Sequence, residues 1–347
     1  MRTVSLLLSG ALLAGALPQP GLAQTPGSHA PSSTRPQAQP ATGSALCAAT
    51  ARHPTDDPRI ATLVHEAQAQ HQAFGGQAID TAGRLVQAGY QEAEFDRAEG
   101  DAVPTWRKVQ RFWEALGLNA LESVRAADGT PVKLGPLRQS LQGVGLNARE
   151  ASAADTSVVR GALVDNPWSA AFVSYLVRTA GFEAQEFTFS DAHADYVSAA
   201  YAANRSEQLR PAAAVPYAWR ACDIARTPPR PGDLICHTRG NAAPADTFDK
   251  LDQLLAERRA SMGRGPVAMH CDVVVAVDRG AAKMDSIGGN VMQSVTRRRL
   301  NLNAGRRPVL AAQYQVSQRP TPCLRAAGCS DRLMNYQPWA VLLQYRK

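Results

Sequence analysis

Residues 166–181 read NPWSAAFVSYLVRTAG, and this stretch decides the fold. Asn166 is typical of a helix N-cap, Pro167 of the first helical position and Gly181 of the residue after a helix end. Because nearly every side chain between them is apolar, no face of the helix suits contact with water. The stretch therefore predicts a helix buried at the centre of the domain.

Several apolar runs after this helix are short enough to be strands. The turn Pro231-Gly232-Asp233 leads into the first of them, and residues 240–266 form a polar, partly helical insertion. The run 267–277 has the clearest strand pattern. The other predicted strands are 284–287, 291–295, 309–316 and 339–345. Helices first and strands afterwards indicate an α+β fold with an antiparallel sheet packed on the central helix.

Helical spacing of apolar residues also precedes the central helix, at 60–72, 77–88 and 105–116. The stripe that runs from Trp106 to Trp113 is typical of core rather than of a binding face. We expect an N-terminal helical extension over residues 59–118 and irregular structure over 119–155. The α+β domain itself is predicted to span 119–347.

The chain begins with the pattern of an exported protein. Arg2 precedes an apolar run over 4–17, and Gly21-Leu22-Ala23 offers small residues for cleavage before Gln24. Residues 1–23 are thus predicted to be a signal peptide and 24–58 a disordered linker rich in Pro, Ser and Gln. A periplasmic or secreted location follows, with no membrane span, since Pro18 and Pro20 break the run early.

Charge and cysteines agree with an exported protein. The formal net charge is +7, with part of the excess in Arg297–Arg299 and Arg306–Arg307. These arginines form either a solvated face or a site for an anionic envelope partner, and no nucleic-acid-binding motif is present. Six cysteines favour disulfides in an oxidising compartment. Cys323–Cys329 is the first expected pair because its loop is short, and Cys236–Cys271 is the second.

Four short motifs carry a family resemblance. They are WSAAFV at 168–173, PGDL at 231–234, HCDVV at 270–274 and IGGN at 287–290. The chain resembles the bacterial domain-of-unknown-function family 2272 over about residues 60–345. More distantly, residues 165–295 look like the NlpC-type and CHAP-type papain-like cell-wall amidases. The resemblance implies a papain-like sheet and hydrolysis of peptidoglycan peptide or amide bonds without a cofactor.

The amidase resemblance also implies roles for single residues. Ser169 falls where those enzymes have a nucleophilic Cys at the start of a helix, and His270 falls where they have the base. Asn290 or Asp272 would be the orienting group, because the position of the acidic residue in the CHAP pattern is Gly288 here. A Ser hydroxyl is much less acidic than a thiol, so Ser169 would depend wholly on a general base.

Other readings of these residues stay open. Ser169 is a nucleophile, a small packing residue at a helix start, or part of a binding cleft that has lost catalysis. Trp168, His193 and His237 are predicted to line that cleft. If Cys236 bonds Cys271, His237 lies on the same sheet face as His270 and Asp272, which is a metal-site alternative. The two functions to be weighed are therefore an envelope hydrolase and a non-catalytic peptidoglycan- or peptide-binding module.

Overall fold

The computed structural model describes residues 42–92, 103–117, 121, 123–125, 131–209, 214–261, 267–315 and 333–347. All of them belong to one compact unit, Pro40–Lys347. Among the described helices, none combines the length and apolarity needed to cross a membrane. The fold is mixed α+β, as the order of helical and strand patterns predicts.

Eight α-helices are described. They are α1 (Thr42–Thr50), α2 (Pro58–Ala73), α3 (Thr105–Glu114), α4 (Leu134–Gln142), α5 (Ala148–Asp165), α6 (Ser169–Thr179), α7 (His193–Leu209) and α8 (Phe248–Ala260). The aromatic stripe of α3 is buried, which confirms its assignment to the core.

The strands form one large sheet and one small hairpin. They are β1 (Ala78–Ile79), β2 (Leu85–Gln87), β3 (Ser123–Arg125), β4 (Pro131–Lys133), β5 (Trp219–Cys222), β6 (Leu234–Thr238), β7 (Met269–Asp278), β8 (Lys283–Val291), β9 (Ser294–Asn301) and β10 (Trp339–Tyr345). The large sheet has the order β2-β1-β9-β8-β7-β6-β10-β5, and β3 pairs with β4. Within the large sheet every pairing is antiparallel except β1 with β9.

Helix α6 is buried, as predicted, and packs against β7, β8, α2 and α3. Phe172 and Trp168 meet Phe112 of α3 at ring-centroid distances of 5.1 and 5.5 Å. These aromatic contacts seat the first turn of α6 against the sheet, where any chemistry at Ser169 would take place.

The start of α6 differs from the prediction. Asn166 ends α5, and its side-chain amide donates to the Ala162 carbonyl. Residue Trp168 takes the N-cap position of α6 without a side-chain capping bond. The N-cap assignment of Asn166 was wrong because α5, which the sequence analysis did not predict, runs up to Asp165.

Three other stretches were also wrongly predicted. The described part of 309–316 has one bridge residue, Leu310, and a 3₁₀ turn at Ala312–Tyr314 instead of a strand. Residues 77–88 form β1 and β2 rather than a helix, because Asp80 Oδ1 accepts the N–H groups of Ala82 and Arg84 and closes a turn. Residues 119–155 contain β3, β4, α4 and the first part of α5. The asparagine at 147 forms a capping box with Glu150, a helix-start signal that went unused in the prediction.

Two disulfides are described. Cys236–Cys271 joins directly paired residues of β6 and β7, as expected. The second, Cys47–Cys222, ties α1 to β5, so residues 42–50 are not part of a disordered linker. The expected Cys323–Cys329 pair, the signal peptide and most of the linker lie outside the described residues.

Candidate functional site

The Ser169 hydroxyl is hydrogen-bonded to a histidine at the start of another helix. Ser169 is the first residue of α6, and its Oγ lies 2.6 Å from Nε2 of His193, the first residue of α7. On its other side, His193 Nδ1 contacts the hydroxyl of Tyr196. When the imidazole proton is on Nδ1, this N–H donates a hydrogen bond to the Tyr196 hydroxyl. Nε2 is then unprotonated and accepts a hydrogen bond from the Ser169 hydroxyl.

The start of α6 also provides an electrostatic environment suited to an anion. The first backbone bond of this helix runs from the Phe172 N–H to the Trp168 carbonyl. The N–H groups of Ser169, Ala170 and Ala171 therefore have no acceptor within the helix. Such N–H groups, together with the positive end of the helix dipole, stabilise a developing oxyanion in acyl-transfer enzymes.

His270 and Asp272 form a second pair on β7. His270 Nε2 donates to Asp272 Oδ1 at 2.7 Å, and Asp272 Oδ2 accepts from Ser286 Oγ at 3.1 Å. Arg298 Nε makes an ion pair with the same Oδ2 at 3.1 Å. Since a carboxylate only accepts, the proton of His270 sits on Nε2. Its Nδ1 is then a bare base nitrogen, buried and without a partner among the described residues.

The two histidine pairs adjoin each other. The ring centroids of His193 and His270 are 5.3 Å apart, and those of His237 and His270 are 5.4 Å apart. His237 and His270 are direct partners in the β6–β7 register, as the Cys236–Cys271 disulfide predicts. Three imidazoles and one carboxylate thus share one region of the protein.

Burial keeps these imidazoles neutral. Burial, followed by repulsion from His270, lowers the pKa of His193 well below its ordinary value, and burial with repulsion from His270 does the same to His237. Burial also lowers the pKa of His270, although the Asp272 carboxylate opposes the shift. For Asp272, burial raises the pKa, but attraction by His270 and Arg298 outweighs it and sets the value at about 2. The cluster therefore combines neutral bases with a fixed negative charge.

The predicted direct dyad of Ser169 and His270 is corrected by these contacts. Side chains alternate along β7, and Cys271 and Val273 belong to the same core cluster as Phe172 of α6. His270 and Asp272 alternate with these two residues, and His270 is hydrogen-bonded to Asp272 rather than to Ser169. Ser169 is reached instead by His193, which the sequence indicated only as a lining residue.

Asp272, rather than Asn290, contacts the His270 ring. Asn290 is half-buried at φ +55°, in the irregular part of the β8–β9 pairing. An ideal Cβ at Gly288 would lie 1.9 Å from Asp272 Oδ1 and 2.8 Å from His270 Nε2. The carboxylate from β7 fills the space that an acidic side chain at position 288 would occupy, which explains the glycine there.

Trp168 is fully buried, and its indole N–H donates to the Glu92 carboxylate. Burial raises the pKa of Glu92 to about 7, although the indole bond opposes this. Trp168 is thus a core side chain next to the site and lines no open cleft. Sequence analysis missed Glu92, since nothing local distinguishes it.

Three further residues were missed. The spacing His193-x-x-Tyr196 on a helix was a usable signal for Tyr196, because residues three apart are neighbours. Ser286 and Arg298 belong to other strands, and no local pattern links them to Asp272. Arg298, which we placed in a basic surface run, is only 5% exposed.

Solvent access to the cluster is small. Ser169 is 3% exposed, His193 5%, His270 2% and Asp272 0%. Any substrate therefore requires movement of the covering residues. Within the described ranges, no group of three or more His, Cys, Asp or Glu side chains is arranged to hold a metal ion.

Comparison with known proteins supports the first of the two family resemblances. A family model described as "Uncharacterized protein conserved in bacteria (DUF2272)" matches residues 100–345, which confirms the first resemblance. No curated protein and no solved structure matches the chain.

Proposed function

On the premise that this chain belongs to the DUF2272 family, we propose that it is a serine-dependent hydrolase of amide or peptide bonds. The observation that carries the proposal is the Ser169 Oγ–His193 Nε2 hydrogen bond of 2.6 Å at a helix N-terminus. A hydroxyl in contact with a neutral imidazole is the minimal arrangement for nucleophilic acyl transfer. Peptidoglycan peptides are the substrate class, as the NlpC- and CHAP-like motifs imply.

In the proposed reaction, His193 accepts the proton of Ser169 as the hydroxyl oxygen attacks the carbonyl carbon. The N–H groups of the first turn of α6 stabilise the oxyanion. The amine leaves with the proton from His193, and water then hydrolyses the acyl-enzyme with the same imidazole as base. Tyr196, whose hydroxyl contacts His193 Nδ1, orients the imidazole during these proton transfers.

A fluorophosphonate probe tests the nucleophile without knowledge of the substrate. We expect covalent labelling at Ser169, found by peptide mass spectrometry, and loss of labelling in Ser169→Ala. The matched control is Ser174→Ala, because Ser174 is a second buried serine of α6 and donates to the Ser190 carbonyl. Labelling that persists in Ser169→Ala would contradict the proposed nucleophile.

The rate at which purified peptidoglycan is hydrolysed tests His193 as the general base. His193→Gln is expected to lower the hydrolysis rate by about 10²–10⁴-fold, the usual contribution of a general base. His71→Gln is the control, since His71 is also buried but bonds the Gln77 carbonyl far along the chain from the site. His270→Gln should reduce the rate less than His193→Gln does. Equal rates in wild type and His193→Gln would exclude this base.

The low exposure of Ser169 and His193 favours a second candidate, a non-catalytic peptidoglycan- or peptide-binding module. In that case wild type shows neither labelling nor turnover, and Ser169→Ala binds peptidoglycan as tightly as wild type in a pull-down. A Ser169→Cys variant adds a further distinction. Hydrolysis gained with the thiol would indicate an intact site whose serine is inactive.

We also propose that the protein functions outside the cytoplasm, in the periplasm or the medium. Two disulfides among the described residues support this, because such bonds persist in oxidising compartments. N-terminal sequencing of the protein from the native host should give a mature chain that starts at Gln24. A cytoplasmic chain that retains Met1–Ala23 would contradict the proposal.

A further inference from the structure

A groove lined by arginines lies away from the Ser169 region. Two adjoining cavities of about 520 and 390 Å³ share Arg52 and Arg279 in their walls. Arg306 and Arg307 line the second cavity. We call the surface formed by these four residues the basic groove.

The guanidinium groups of the basic groove are exposed and lack acidic partners. All four residues are exposed, and within the described ranges none forms an ion pair with a carboxylate. Arg299, by contrast, pairs with Asp285 at 2.8 Å. Asp278, which precedes Arg279 in the chain, accepts the Ala281 N–H through Oδ1. Four arginines that form no ion pair within the described ranges therefore line two adjoining cavities.

The walls between the arginines are apolar. Ile60, Val64, Pro229 and Pro231 line the first cavity and Pro308 the second. A concave, partly apolar channel fits an extended chain better than the flat surface of a bilayer. Guanidinium groups bind phosphate and carboxylate oxygens in pairs of parallel hydrogen bonds.

The groove is remote from the Ser169–His193 pair. Arg279 follows the last residue of β7, whereas His270 is the second residue of that strand. At about 3.3 Å per residue, roughly 30 Å of strand separates them. The groove is therefore not part of the proposed hydrolytic site, and its test does not depend on hydrolysis.

We propose that the basic groove binds an anionic polymer strand that carries phosphate or carboxylate groups. The four arginines contact successive charges along the strand, while the proline and aliphatic walls contact its uncharged parts. Such a site holds the protein on an acidic envelope polymer, whichever reaction it catalyses.

Fluorescence anisotropy of the full mature chain tests the proposal with labelled polyphosphate and labelled polygalacturonate as separate probes. We expect saturable binding of at least one, which weakens as ionic strength rises. The double variant Arg52→Gln/Arg279→Gln should bind about tenfold more weakly, since each ion pair contributes up to about fivefold. Arg306→Gln/Arg307→Gln provides a second, independent test of the same groove.

The matched control removes the same charge elsewhere, with Lys133→Gln/Arg149→Gln, because both of those residues are exposed on the α4–α5 side. Its affinity should stay within about twofold of wild type. If the groove variants and the control variant lose the same amount of affinity, binding depends only on net charge, and the proposal is overturned. Binding only to vesicles of phosphatidylglycerol, or to no anionic probe at low salt, would overturn it as well. Preference between the two polymers decides whether phosphate or carboxylate is the natural group.

Discussion

Gly288→Ala is expected to disrupt the His270–Asp272 pair through a single methyl group. The backbone at Gly288 lies outside the left-handed region, so alanine is tolerated conformationally. The new Cβ, however, would lie 1.9 Å from Asp272 Oδ1 and 2.8 Å from His270 Nε2. The carboxylate has no free space to move into, because Ser286 and Arg298 hold its other oxygen.

The expected cost combines crowding in a packed interior with a weakened buried ion pair. We expect the free energy of unfolding to fall by about 3 kcal/mol and Tm by roughly 5 °C. Differential scanning calorimetry of the purified protein measures both quantities. If the proposed hydrolase activity is found, its rate should fall in the same variant, because the His270 ring, which lies 5.3 Å from that of His193, is displaced.

Gly135→Ala is the matched control, since a Cβ at Gly135 meets no atom within 4 Å. Gly135 lies in the first turn of α4 and precedes Pro136, so alanine should change the free energy of unfolding by less than about 1 kcal/mol. A double-mutant cycle with Asp272→Ala then identifies the clash: without the carboxylate, Gly288→Ala should cost at least about 1 kcal/mol less. Equal Tm values for Gly288→Ala and Gly135→Ala would refute the reasoning.

Two further predictions concern pH and the disulfides. The raised pKa of Glu92, about 7, means that the folded state favours the protonated carboxyl, so this contribution to stability is full below pH ~4 and lost as pH rises through 7. Relative to Glu92→Gln, the wild-type free energy of unfolding, measured with urea, should therefore fall by on the order of 2 kcal/mol between pH 4 and 8. If the free energies of the two proteins change in parallel with pH, the raised pKa of Glu92 is contradicted. Cys236→Ala/Cys271→Ala should lower the free energy of unfolding by about 2–4 kcal/mol. Hydrogen exchange should still show protected amides along the β6–β7 pairing. An unchanged urea midpoint would contradict the presence of this disulfide.

Local pattern in the sequence determined the elements that surround the site. Period-2 alternation in β7 placed His270 and Asp272 on one face and Cys271 on the other, and the disulfide register then brought His237 beside His270. The aromatic stripe of α3 and the apolar length of α6 also needed no tertiary information. The spacing of apolar residues indicates a buried face in α3, and their continuity indicates burial on nearly all sides in α6. Family membership rests on the match of residues 100–345 to the family model, which also uses sequence alone.

Only the tertiary structure decided which imidazole meets Ser169. His193 lies 24 residues away on another helix, and its contact depends on how α6 and α7 pack rather than on any spacing. The same holds for Arg298 and Ser286, which reach Asp272 from β9 and β8. Sequence spacing determines which face of an element a side chain occupies. Contacts between elements are set by the packing of the whole core, so they became visible only in the fold.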